Sequence, residues 1–302
     1  MFGSLRGLRW DSSSTALTSK ETVAVIPSEM VLQSDFSDED WDAKLATSLW
    51  QECQKASGSL SGYVALLGYS DDEAARHPAA PHALRHWSVN EKNELKSTSS
   101  GQRVLDLCDR QLLAWNEKYT AQSNRLMTLD QCIWAMEVVH SRAFRGLQTT
   151  VSSVPVVASI VAPVLSAAAA FLYSKTHASE PPVPLLAALG ILAVAPALLQ
   201  VITPVPQSAV LLPLIDSANH DASVDAEIQF NSVTGCFELQ AGPKSLLVQS
   251  DAGNSRQLFI SYGTKSDAEW LLNYGFLPGV EPMDDTTAYR NELARVYKER
   301  NS

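Results

Sequence analysis

LPLIDSANH, residues 212–220, and FISYGTKS, residues 259–266, are the two stretches that decide the fold of this chain. In the first, an apolar run ends in Asn219 and His220, whose side chains and backbone either bind a polar ligand or cap a turn. In the second, an apolar strand ends in Tyr262 and Gly263. The tyrosine ring there either projects from the strand end into a pocket or packs half-buried in the core. Each motif taken singly leaves both alternatives open.

Short strands surround the two motifs. Alternating apolar runs separated by turn residues predict strands at 227–231, 236–239, 246–249 and 258–261. An earlier run at 22–26, stopped by Pro27, predicts a buried strand near the start of the chain.

Helices are predicted mainly in the first half. Helical periodicity covers 38–56, 102–118 and 128–144, with further helices at 267–274 and 285–301 and a loop at 70–86. Ser37 with Asp40, and Thr128 with Gln131, have the spacing of capping boxes. Helices grouped before strands predict an α+β fold rather than a doubly wound sheet.

Composition excludes several classes of function. The chain has 302 residues, and 33 acidic against 23 basic side chains give a net charge of −10, which predicts no nucleic-acid partner. Its four cysteines form no CxxC motif, so a zinc ribbon, a thioredoxin site and a disulfide framework are not expected. His77, His82 and His86 are interrupted by Pro78 and Pro81 and share no helical face, so we predict a solvated loop and no metal.

Charge is depleted between residues 147 and 215, where only Lys175 and Glu180 are charged, against about thirteen expected at the chain average. Residues 151–173 and 184–204 are uncharged, and each is long enough to cross a bilayer as a helix. The pattern predicts a two-helix transmembrane hairpin with both ends on one side. The alternative is a pair of buried soluble helices, because the segment is rich in alanine and contains several prolines.

Together and in this order, the motifs resemble those of the SET-domain methyltransferases. More narrowly, they resemble the branch of the Rubisco large-subunit lysine methyltransferase and the actin-histidine methyltransferase. The resemblance covers most of the chain: the strand ending at Pro27, the helical region, SRAF at 141–144, and the motifs at 216–220 and 262–276. It implies a SET-domain β-fold split by a helical insertion, to which the apolar hairpin is an addition.

The resemblance implies S-adenosyl-L-methionine as the cofactor, a protein as the substrate, and a role for eight positions. These are Tyr262 and Tyr274 as catalytic residues, Asn219, His220, Gly7 and Leu8 as cofactor-binding residues, and Arg142 and Asp216 near the substrate. Methyl transfer to an amine requires a neutral nucleophile, a straight approach and exclusion of water, with no metal. An aromatic site desolvates lysine and so favours its neutral form.

Three functions remain open. The leading hypothesis is a membrane-anchored, S-adenosyl-L-methionine-dependent protein N-methyltransferase acting on lysine. Histidine is an alternative acceptor. The third is a catalytically silent SET-fold protein that binds a partner at a membrane. This last hypothesis follows from the family's opening Gly-x-Gly-Leu turn, where this chain has LRGL at residues 5–8 with only the second glycine in place.

The predicted organisation has five parts. These are N-terminal SET strands at 1–36, a helical insertion at 37–145, the apolar insert at 146–215, a C-terminal SET core at 216–280 and a helical tail at 281–302. We expect a membrane-associated protein with both SET halves on one face, on either the plastid or the cytoplasmic side. Because the insert separates two segments of one site, it must leave and return at nearly the same point.

Overall fold

A computed structural model of the chain divides into two compact units, Met1–Leu147 with Ser208–Ser302, and Gln148–Gln207. Gly7 and the two predicted membrane spans lie outside the described residues. The structure describes residues 8–10, 17, 19–55, 57–70, 72, 77–122, 126–148, 207–248 and 256–302.

Within these ranges, ten strands form three small sheets. The strands are β1 (Leu8–Trp10), β2 (Glu21–Pro27), β3 (Leu32–Asp35), β4 (Phe144–Gln148), β5 (Gln207–Leu211), β6 (Asn219–His220), β7 (Glu227–Asn231), β8 (Cys236–Ala241), β9 (Leu246–Val248) and β10 (Arg256–Ile260). The sheet orders are β1-β10-β6 with β9 also on β10, β2-β8-β7, and β3-β5-β4.

The helices lie mostly between β3 and β4. They are α1 (Trp41–Cys53), α2 (Ser61–Leu66), α3 (Val89–Lys96), α4 (Ser99–Ala121), α5 (Leu129–Arg142), α6 (Asp267–Glu269), which continues into a π-helical turn (Trp270–Tyr274), and α7 (Thr286–Arg300). A helical block inserted between strands confirms the α+β class and the helical insertion.

β8 is the central strand of the second sheet, between β2 and its hairpin partner β7. Phe237, Leu239 and Ala241 alternate along β8 and are fully buried, because successive strand residues point to opposite faces. The prediction of a buried first strand is wrong in part. β2 lies at the edge of this sheet, and Ile26 is its buried residue.

The helical insertion packs α1 against α5 around a core in which Leu45, Leu49 and Met136 are fully buried. The capping box predicted at Thr128 is confirmed, since its hydroxyl accepts from the Gln131 amide and the Gln131 side chain accepts from the Thr128 amide.

The capping box predicted at Ser37 is wrong. The first helix begins after Asp40, whose side chain makes no capping hydrogen bond. Ser37 instead donates from its backbone amide and its hydroxyl to the carboxylate of Asp35, and Asp38 accepts from the Asp40 amide. Aspartates that accept from a backbone amide two residues on form Asx turns, which replace the expected cap.

The two ends of the apolar insert are strands rather than parts of a hairpin. β4 carries the chain away from α5, β5 brings it back, and the two strands are neighbours in one sheet. The expectation that the insert leaves and returns at nearly the same point is therefore confirmed. Among the described residues, no helix is both long and apolar enough to span a bilayer.

Candidate functional site

A short parallel pairing joins the two motifs that the sequence singled out. Asn219 lies opposite Phe259, and His220 lies opposite Ile260, so β6 runs beside the end of β10. Two hydrogen bonds extend the junction beyond the strands. The Tyr262 amide donates to His220 Nδ1 at 3.1 Å, and the Tyr262 hydroxyl donates to the Ala218 carbonyl at 2.7 Å. The pairing and these hydrogen bonds bring the two motifs together at one site.

The tautomer of His220 follows from this junction. Because Nδ1 accepts a hydrogen bond, the ring proton of the neutral imidazole resides on Nε2. Burial lowers the pKa of His220, which keeps the ring neutral at neutral pH. A contact of the ring with the Ile260 backbone opposes this effect of burial on the pKa. Because Nδ1 accepts from the Tyr262 amide, Nε2 is the ring atom that can donate to a ligand.

Asn219 supplies a second available polar group. The residue is half-buried at the end of the strand pairing, and its side-chain amide makes no hydrogen bond to the described residues. An amide offers both a donor and an acceptor. Asn219 and His220 together therefore present neutral hydrogen-bonding groups beside Tyr262.

Aromatic rings surround this junction. They are the side chains of His220, Tyr262, Trp270, Tyr274 and Phe276, which we call the aromatic cluster. Tyr262 stacks on Tyr274 with ring centroids 5.3 Å apart, and Trp270 lies 4.8 Å from His220 and 4.9 Å from Phe276.

Burial keeps the hydroxyls of the cluster neutral. It raises the pKa of Tyr274 to about 12 and raises the pKa of Tyr262 further. At neutral pH both groups are therefore hydrogen-bonding hydroxyls rather than bases.

The turn that carries the second half of the cluster is locally determined. Ser266 and Glu269 form a capping box at the start of α6, and the π-helical turn follows directly. Gly275 ends it with φ at +74°, a left-handed conformation that glycine adopts without steric cost. This reversal brings Tyr274 and Phe276 into the same cluster.

Asp216 occupies a closed position behind the cluster. Its side chain is fully buried, and its carboxylate accepts from the Tyr63 hydroxyl and lies 3.9 Å from Arg142 Nη1. Arg142 also donates to the Asp216 carbonyl at 3.2 Å. Burial raises the pKa of Asp216, against the opposing effect of Arg142. These contacts give Asp216 the geometry of a positioning residue that joins α5, α2 and the first motif.

The structure brings six of the eight sequence-predicted site residues into this region: the two tyrosines, Asn219, His220, Arg142 and Asp216. Leu8 lies elsewhere on the same sheet, where it pairs with Leu258 across β1 and β10. Gly7 falls outside the described residues.

Three residues of this region were not predicted. Trp270 and Phe276 lie within the motif at 262–276, and the helical i,i+4 spacing of Trp270 and Tyr274 was a signal that they share a face. Tyr63 lies 153 residues before its partner Asp216, and no sequence pattern connects them.

One curated sequence is similar to part of the chain. SET domain-containing protein 4 of Mus musculus is 31% identical to this chain over 72 residues, which is 24% of this chain and 15% of the mouse protein. The resemblance to SET-domain proteins is confirmed. No family model matches the chain.

A solved SET domain also superposes on the chain. The crystal structure of the SET domain of LSMT bound to lysine and AdoHcy covers 95% of this chain and 59% of its own, with a TM-score of 0.49 and 14% sequence identity. The chain thus spans less than two thirds of each of these SET relatives.

Proposed function

We propose that this protein is an S-adenosyl-L-methionine-dependent protein N-methyltransferase with lysine as its acceptor. The observation that carries the proposal is the junction of the two SET motifs, in which Tyr262 is hydrogen-bonded to His220 and to the Ala218 carbonyl inside the aromatic cluster. These are the positions to which the family resemblance assigns methyl transfer.

The available groups suit the cofactor. S-adenosyl-L-methionine has an amine, a carboxylate and an adenine, so its binding site must supply both hydrogen-bond donors and hydrogen-bond acceptors. Asn219 offers an amide, and His220 offers the Nε2 proton. Arg142 has a buried Nε without a hydrogen-bond partner among the described residues. Buried polar groups are rarely left unpaired, so a ligand that pairs with Arg142 Nε accounts for its position.

The aromatic cluster prepares the acceptor amine. The bound cofactor supplies an electrophilic methyl group on a sulfonium sulfur. The rings of Tyr262, Tyr274 and Trp270 exclude water from an incoming amine and so lower its pKa, which favours the nucleophilic neutral form. Alignment in such a site supplies much of the rate.

The Tyr262 hydroxyl holds the amine. Its proton is committed to the Ala218 carbonyl, so its oxygen has a lone pair left to accept an N–H bond from the substrate. Since burial raises the pKa of Tyr262, the group does not serve as a base at neutral pH, and the amine arrives already deprotonated.

Membrane anchoring through residues 151–204 is part of the same proposal. Its support is the depletion of charge in this segment together with the neighbouring positions of β4 and β5. Arg142 precedes the insert and contacts Asp216 after it, so both ends of the insert must be on one side. Two membrane crossings satisfy that condition, whereas one would separate the two residues.

The test combines cofactor binding with methyl transfer. Titration calorimetry of the full-length protein with S-adenosyl-L-methionine should show binding, and transfer of a labelled methyl group should occur to a lysine-containing protein fraction. Tyr262→Phe should lower methyl transfer more than tenfold, with cofactor affinity nearly unchanged. Unchanged turnover would remove Tyr262 from the reaction.

Two controls make the result specific. Tyr289→Phe removes a hydroxyl from another buried tyrosine, on α7, and should leave transfer unaffected. Since Tyr262→Phe also deprives the buried Ala218 carbonyl of its donor, at a cost of about 1–3 kcal/mol, unfolding is measured on both variants.

The same experiment separates the rival functions. A folded, full-length protein that does not bind the cofactor would be a silent SET-fold protein. Amino-acid analysis of the labelled product distinguishes methyl-lysine from methyl-histidine, and methyl-histidine would refute lysine as the acceptor.

A further inference from the structure

Two cationic residues border the aromatic cluster without having a role in the proposed chemistry. Lys265 lies three residues after Tyr262, and its Nζ is 5.6 Å from the centroid of the Tyr274 ring, within the range of a cation–π contact. Arg145 lies on β4, three residues after Arg142, and is exposed. Lys265 thus belongs to the second motif, whereas Arg145 follows Arg142, which donates to the Asp216 carbonyl of the first motif.

One carboxylate, that of Glu269, offsets part of the positive charge of this pair. Neither Arg145 nor Lys265 forms an ion pair within the part of the chain that the structure describes. Glu269 is the nearby carboxylate, but it accepts at 2.9 Å from both the amide and the hydroxyl of Ser266. These hydrogen bonds lower the pKa of Glu269, so its carboxylate is ionised and offsets one of the two positive charges.

The charge of Arg145 acts on residues at the edge of the aromatic cluster. Burial and, after it, the charge of Arg145 lower the pKa of Lys265. Arg145 likewise opposes the effect of burial on the pKa of Tyr274. With two cations against the one carboxylate of Glu269, the surroundings of Tyr274 retain one positive charge on a chain whose net charge is −10.

This positive charge lies where the residues that flank the acceptor lysine of a peptide substrate would bind. Gly263 and Thr264 are exposed between Tyr262 and Lys265, and Ser261 is exposed just before Tyr262. A peptide that places its lysine against Tyr262 and Tyr274 brings its flanking residues over this loop. An acidic flanking residue would meet the two cations, whereas a basic one would be repelled.

We propose that Arg145 and Lys265 select protein substrates in which an acidic residue flanks the acceptor lysine. The inference rests on the proposed function, because it takes the aromatic cluster as the place of the acceptor. Charge pairs near a protein surface are individually weak, so two of them give a preference of about three- to thirtyfold in affinity at low salt.

A structural role for Lys265 predicts something different. If Lys265 merely packs its stem and ammonium on Tyr274, its removal lowers stability without changing which peptides bind. Charge preference is therefore the readout that distinguishes recognition from packing.

The experiment uses three fluorescein-labelled peptides of equal length with one central lysine, flanked on both sides by aspartate, asparagine or arginine. Their affinity for the full-length protein is measured by fluorescence anisotropy in saturating S-adenosylhomocysteine, and their methylation is measured with labelled S-adenosyl-L-methionine. The aspartate peptide should bind about three- to thirtyfold more tightly than the asparagine peptide at 50 mM salt. This preference should shrink at 300 mM salt, where charges are screened.

The variants assign the preference to the two residues. Combined Arg145→Glu and Lys265→Glu should reverse the order so that the arginine peptide binds best. Charge reversal at the half-buried lysine could prevent folding, so the milder variants Lys265→Gln and Arg145→Gln are measured as well. Each should reduce the preference for the aspartate peptide. Lys96→Glu, an equal charge change at an exposed position of α3, should leave the order unchanged.

The outcomes separate the two claims. Charge-dependent binding without methylation of any peptide would refute the proposed catalysis and leave the recognition role standing. An aspartate peptide that binds no better than the asparagine peptide, or not at all, would overturn the inference. A preference that the glutamine variants do not alter would overturn it as well.

Discussion

The addition of a single methyl group at Gly275 tests which contacts hold the site together. It lies between Tyr274 and Phe276, with φ at +74°. A Cβ at this position would be 2.2 Å from the carbonyl carbon of His82 and 2.3 Å from the amide nitrogen of Ala83. Both atoms belong to backbone, so neither can move aside as a flexible side chain could. The aromatic cluster is therefore pressed directly against the helical insertion.

Gly263 provides a matched comparison. Its φ is +80°, but no heavy atom lies within 4 Å of an added Cβ. Gly263→Ala should therefore cost only the left-handed backbone strain, about 1–2 kcal/mol. Gly275→Ala should carry the same strain plus an overpacking cost of about 1–3 kcal/mol, which gives about 2–5 kcal/mol in total.

Urea unfolding followed by circular dichroism and tryptophan fluorescence measures the difference. We expect Gly275→Ala to lose more free energy of unfolding than Gly263→Ala. It should also weaken S-adenosyl-L-methionine binding, because Tyr274 and Phe276 must shift with it. Equal losses in the two variants would show that the contact between residues 82–83 and Gly275 does not exist in solution. The reasoning about the position of the cluster would then be refuted.

Three further predictions concern other parts of the molecule. Asn219→Ala should weaken cofactor affinity about ten- to a hundredfold by calorimetry, while Asn301→Ala leaves it unchanged, and an unaltered affinity would make Asn219 a turn cap. Burial raises the pKa of Asp42, but hydrogen bonds from His140 and Lys118 outweigh burial and lower this pKa to about 2. Asp42 should therefore contribute about 2 kcal/mol of stability above pH 4 that is lost as the pH falls towards 2, and Asp42→Asn should flatten this acid limb in urea titrations. Alkaline carbonate extraction should leave the full-length protein in the membrane pellet, whereas replacing residues 151–204 by a Gly/Ser linker should release it; release of the unaltered protein would refute the anchor.

The parts of the fold that the sequence predicted are those with strong local signals. The box at Thr128 opened α5 as expected, and the turn at 232–235 closed the hairpin of β7 and β8. α3 was missed because only Glu91 and Leu95 are buried in it, so its apolar periodicity is weak. Its capping box, Ser88 with Glu91, was nevertheless readable in the sequence.

In the candidate site, too, some features could be predicted from the sequence and others could not. Asn219, His220 and Tyr262 could be predicted because their order along the chain resembles a known family. The parallel pairing that brings them together could not, because nothing local specifies which strand β6 joins. The contact between Tyr63 and Asp216 depends on two segments whose relation is set by the packing of the whole helical insertion.

The charged residues of the site show why a motif alone does not identify the groups that meet a substrate. Asp216 is the prominent charge in the first motif, yet its carboxylate is enclosed by Tyr63 and Arg142 and has no exposed surface. An enclosed carboxylate can fix the position of Arg142 but cannot attract an approaching peptide. Arg145 and Lys265 are cations near the aromatic rings that form no ion pair within the described part of the chain. Selection of substrates by these two residues would favour acidic peptides, which the net charge of the chain as a whole repels.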